Sequence, residues 1–162
     1  MRKRALDAGE LARALARTDA EVLRAAIQQW HRYYVFAFDG GDRPKPRRDI
    51  PADLLAPEFE YFSHPQKLAH EHIMACMMIA LAEINDEKFI TFWAWGDFWN
   101  MLHDADDTML TRIEDEARRT PRFRWMLSLV EVHGAPPHVQ AVVERASLGV
   151  ADNGQMPPAP WA

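Results

Sequence analysis

From Ile73 to Ala82 the chain reads IMACMMIALA, without one polar side chain. A surface helix shows an apolar stripe on one side. A helix that is apolar all round needs neighbours all round. The run is too short to span a membrane, which takes about 20 apolar residues. It lies within residues 64–104, which hold half of the methionines, three of the six tryptophans and the single cysteine. These features predict an all-α fold. The expected form is a single-domain bundle of about seven short antiparallel helices around a central apolar helix at 64–84.

The flanking sequence supplies the other helices. Residues 5–17 place Leu6, Leu11 and Leu15 near helical spacing. Thr18 with Glu21 has the form of a capping box, and Leu23, Ala26, Ile27 and Trp30 continue at helical spacing until Gly40 and Gly41. Residues 39–65 form a long proline-rich loop, with a single turn expected near Pro51 and with Phe59, Tyr61 and Phe62 as anchors. Ser63 with Gln66 repeats the capping pattern ahead of the apolar helix. Asn85 ends that helix and Asp86 opens the next, which Gly96 should break. A helix from Asp107 to Arg119 faces inward with Met109, Leu110, Ile113 and Ala117, acids early and arginines late. Thr120 and Pro121 start another, and Pro137 to Ser147 make the last. The helical domain therefore covers 1–148. Residues 149–162 form a proline-rich tail that composition alone would leave unstructured, with Trp161 as its natural anchor.

Composition bounds the class. With 162 residues, 48% apolar and 27% charged, the chain suits one globular domain. Cys76 is the only cysteine, so an internal disulfide is excluded. The opening MRKRALDAGE has no apolar stretch behind its basic residues, which argues against a secretory signal and for a cytoplasmic location without a membrane. Charge is uneven along the chain. Residues 1–50 carry 11 Lys/Arg against 7 acids, residues 51–116 carry 3 against 14, and residues 117–162 carry 5 against 3. An acidic middle disfavours a nucleic-acid groove, because phosphate contacts need clustered cations.

The segment from Gly96 to Arg124 contains RIEDEARRTPRFR, from Arg112 to Arg124. It resembles an uncharacterised family of small bacterial all-helical proteins, whose members show a glycine, a short apolar-acidic helix, RIE-x-EAR and a PRFR-like ending. That resemblance implies a bacterial source and a helical fold. It carries no activity and no site residue. Asp97 and Phe98 depart from the proline-leucine helix start expected at that junction.

The chemistry-bearing residues are few. His72 and Cys76 lie one helical turn apart, and imidazole with thiolate suits zinc. With His103 folding back they would make a metal- or ligand-binding enzyme. Two ligands on one helix are only half a site, and neither HExxH nor the Glu-x-x-His repeats of di-iron bundles occur. Met74, Met77, Met78, Met101, Phe92, Trp93, Trp95 and Trp99 could line a ligand pocket or simply fill a core. Arg118, Arg119, Arg122 and Arg124 would serve a nucleic-acid binder if they formed one exposed patch. No nucleophile elbow, phosphate loop or dinucleotide fingerprint is present. Asp97, between Trp95 and Trp99, is the one carboxylate whose apolar setting points to a raised pKa.

The reading these features favour is a non-enzymatic bacterial protein acting by protein–protein contacts, of accessory, regulatory or immunity type. It needs no catalytic residue, cofactor or metal. Its contact candidates are Arg43, Lys45, Arg47 and Arg48 in the basic loop, with Trp95, Trp99 and Trp161. Its partner would be a protein, with a homodimer as the other arrangement and nucleic acid disfavoured. Trp93 and Trp95 cannot share a helix face, so one indole should reach the surface, where tryptophan is a frequent interface anchor.

Overall fold

A computed structural model of the chain describes residues 20–54, 66–150 and 154–159. The helix expected at 5–17, the caps at Thr18 and Ser63, the anchors Phe59, Tyr61 and Phe62, and Trp161 lie outside the described residues. The described part is all-helical, with no strand. It divides into two compact units, Met1–Ile79 and Ala80–Ala162.

In the first unit, α1 spans Ala20–Phe38. Leu23 and Ile27, one turn apart, are buried, as is Ala37. The helix stops because Asp39 and Gly40 both take positive φ, +41° and +75°. Glycine adopts that conformation freely and aspartate more readily than most residues. The chain then runs through two short 3₁₀ turns, Arg47–Asp49 and Ala52–Leu54, the second closed by Leu54 N–H on the Pro51 carbonyl at 2.9 Å. Gln29 of α1 donates to the Asp53 carbonyl at 2.8 Å and holds that turn against the helix.

Helix α2, Gln66–Glu83, crosses the boundary between the units. From His70 to Ala82 no residue of it is exposed. Ile73, Met74, Cys76, Met77, Ala80 and Leu81 are buried. Ala75, Met78, Ile79 and Ala82, which share the other face, are half-buried, so the apolar run is fully covered on one side and partly covered on the other.

The second unit continues with α3, Glu87–Trp93, a π turn over Ala94–Phe98, and α4, Trp99–His103. Then come α5, Asp107–Arg119, α6, Pro121–Leu129, and α7, Pro137–Ala146. Their starts are chemically marked. Asp86 accepts the Phe89 N–H at 3.1 Å, and Asp106 accepts the Met109 N–H at 2.9 Å. Pro121 and Pro137 stand at first helical positions, where the missing N–H costs nothing. Thr120 does not cap with its side chain; its hydroxyl reaches back to Glu116 at 2.5 Å. α5, α6 and α7 pack on one another, and α3 packs on α6. Phe98 meets Phe123 edge to face at 5.9 Å, and Met101, Ile113, Met126 and Val139 are wholly buried around this core. Arg145 of α7 pairs with Glu114 of α5 at 2.5 Å, which holds the Glu114 carboxyl below its ordinary pKa.

Candidate functional site

The helix break expected at Gly96 is present, and it decides what the tryptophans do. Gly96 takes non-helical angles (φ −94°, ψ −110°) inside the π turn. Trp93 before it is buried, whereas Trp95 is 43% exposed, the one tryptophan among the described residues that is largely in water. Trp99 is half-buried. Its indole N–H donates to the Glu131 carbonyl at 2.9 Å, and its ring lies 3.7 Å from the His103 ring. Asp97 sits between them, half-buried and without a hydrogen bond or ion pair among the described residues. Burial pushes its carboxyl above the ordinary value of 3.8. It does not cap α4, which has no side-chain cap.

The basic loop is partly tied down. Lys45 is half-buried, with its ammonium 3.2 Å from Asp39 Oδ2 and 4.4 Å above the Phe36 ring. Its own N–H donates to the Ala37 carbonyl at 2.6 Å. Arg43, Arg47 and Arg48 are exposed, with Arg48 3.8 Å from Asp49. The cationic surface of the loop therefore consists of these three arginines, with Lys45 folded onto α1.

For the metal alternative, His72 and Cys76 are both buried on α2. His103 is occupied within its own helix, its Nδ1 donating to the Trp99 carbonyl at 3.0 Å. Among the described residues no three His, Cys, Asp or Glu side chains are placed to hold a metal ion.

The four arginines that a nucleic-acid binder would need as one patch are not equivalent. Arg118 and Arg119 are exposed and both turn to Asp115, at 2.6 Å on its carboxylate and 3.2 Å on its carbonyl. Arg124 is half-buried and Arg122 is 3% exposed. Arg122 is therefore removed from any exposed patch. It shares the inner face of α6 with Trp125 and Met126, three and four residues on, so helical spacing carries it inward. Its guanidinium donates to the Leu81 carbonyl at 2.8 Å, to Asn85 Oδ1 at 2.5 Å, to the Pro157 carbonyl at 2.7 Å and, more weakly, to the Ile84 carbonyl at 3.5 Å. A cation there satisfies a carbonyl in the last turn of α2, where the helix dipole is negative. Burial pulls its pKa below the ordinary arginine range, and the group stays charged.

The tail likewise differs from the unstructured segment that composition predicts. Residues 154–159 have no regular structure of their own, but they are held by side chains of the second unit. Besides the Arg122 contact, the Trp125 indole N–H donates to the Gly154 carbonyl at 3.0 Å. Met156 N–H donates to Glu87 Oε1 at 2.9 Å. Comparison with protein-family models, with curated proteins and with solved structures finds no match to this chain.

Proposed function

We propose that this is a non-enzymatic protein that works through protein–protein contacts, with Trp95 as the principal anchor. The observation that carries this reading is the exposure of Trp95 at the Gly96 break, with Asp97 beside it. Tryptophan is enriched among the residues that dominate binding energy. The exposed acids Asp104, Asp106 and Asp107 of the same unit suit a basic partner surface. Arg43, Arg47 and Arg48 are secondary contacts. The finer architecture belongs to the same proposal: one bundle of about seven helices built around α2, in a bacterial cytoplasmic protein of accessory, regulatory or immunity type.

The test is capture of partners by tagged wild-type chain and by Trp95→Ala in parallel, with metal analysis of both eluates. A stoichiometric protein held by the wild type, and bound about 30-fold more weakly by the variant, supports the reading. A partner retained equally by both moves the contact away from Trp95. Stoichiometric zinc or iron with no protein partner overturns the reading in favour of a metal site.

A further inference from the structure

The contacts that hold residues 154–159 read backbone rather than side chains. Arg122 and Trp125 stand three residues apart on α6, and the carbonyls they grip, Pro157 and Gly154, stand three residues apart in the tail. The pairing of 122 with 157 and of 125 with 154 sets the tail antiparallel to the helix. With the tail in place both donors are almost wholly buried, and Arg122 is held besides by the Leu81 carbonyl and Asn85, contacts that do not depend on the tail. Proline-rich backbone is extended and already low in entropy, and an indole or arginine N–H aimed at its carbonyls is a general way to bind it.

The tail does not fill the place it occupies. A cleft of about 350 Å³ remains beside it, lined by Pro121, Arg124, Trp125, Val150, Gln155 and Pro158 among others. Arg124 lines this cleft and meets no carboxylate among the described residues. Residues 154–159, GQMPPA, bring no acid to it. The same segment from a second copy of the chain would leave the cleft and Arg124 as they are.

We propose that this face of α6 is a docking site for an acidic, proline-rich, extended segment of another protein, and that residues 154–159 occupy it in that partner's absence. Arg122 and Trp125 hold the partner's backbone carbonyls. Arg124 receives an acidic side chain at the place of Gln155, and the empty cleft takes the bulk the tail lacks. The site uses none of the residues of the Trp95 surface, so it stands independently of that reading.

The experiment titrates two fluorescein-labelled peptides, GQMPPAP and GEMPPAP, against the full chain by polarisation. The chains are the wild type, Gly154→Val, Gly154→Val with Arg124→Ala, and Trp95→Ala. Gly154 has φ +62°, so a β-branched residue there loosens the tail without touching the groove. Should that variant prove unstable, Met156→Pro replaces it, removing the N–H that Glu87 accepts. The expected result is at least tenfold tighter binding of GEMPPAP to the loosened chain than to the wild type. GEMPPAP should also exceed GQMPPAP, and that preference should vanish with Arg124→Ala. Trp95→Ala should behave as the wild type, which separates this site from the Trp95 contact. Absence of binding to the loosened chain, or binding indifferent to the tail or to Arg124, overturns the proposal. So does a wild-type dimer, formed by exchange of tails, that the peptides leave intact.

Discussion

Arg122 is a buried cation whose acceptors come from Leu81, Ile84, Asn85 and Pro157. Arg122→Met keeps the stem and removes all of these donors, stranding three carbonyls and an amide. We expect a loss of about 3 kcal/mol, read as a lowered urea midpoint at unchanged slope. Arg122→Lys should rescue little, since a compact ammonium cannot span acceptors that a planar fork reaches together. A change within 0.5 kcal/mol for the methionine variant would deny Arg122 this role. Asp97 behaves oppositely, since its charge is the unfavourable state. Its folded pKa lies above 3.8, so ionisation costs stability above that raised value, and the cost fades as pH falls towards 3.8. Asp97→Asn should therefore be more stable than the wild type at pH 7, with the gain gone below 3.8; equal thermal midpoints at pH 7 would contradict this. The Asp97 setting was legible in the sequence, because its flanking tryptophans are local. The role of Arg122 was not, because its acceptors lie 35 or more residues away and three of the four are backbone atoms.

At the scale of elements, the starts and stops were the most legible part. Asp86, Pro121, Pro137 and Gly40 act through contacts within a few residues, so local sequence contains their cause, whereas the stop at Asp39 and the cap by Asp106 came from the structure. Asp106→Ala should cost about 1 kcal/mol in urea unfolding by freeing the Met109 N–H, and Asp106→Asn clearly less. Equal losses would show that charge rather than the cap matters. What pattern reading did not supply was the π turn over Ala94–Phe98. Gly96 announced an interruption, but the extra residue in the turn resets the phase of everything after it. Trp95 is thereby left in water while Phe98 reaches the core. Such a phase change depends on which packing wins, and that is a tertiary matter.

Over the whole molecule, a single thiol reports on opening. Cys76 is 2% exposed, on the buried face of α2, so an aqueous thiol reagent should label it only through unfolding. Labelling in native buffer should be at least a hundredfold slower than in 6 M guanidinium, and should accelerate with added urea in step with the global transition. Fast labelling at zero denaturant would mean that α2 opens on its own. The order of residues 154–159 was beyond pattern reading for a similar reason: donors 29 and 35 residues upstream, and an acceptor 69 residues upstream, create it. Those three contacts also impose a grammar on the tail. Position 156 must supply an N–H, so it tolerates almost any residue except proline; positions 157 and 158 owe no hydrogen and are free to be proline, as they are. Read in the reverse direction, the same letters would place a proline where the hydrogen is wanted. The segment is therefore a word with a direction, and any rival for its place has to be spelled the same way round.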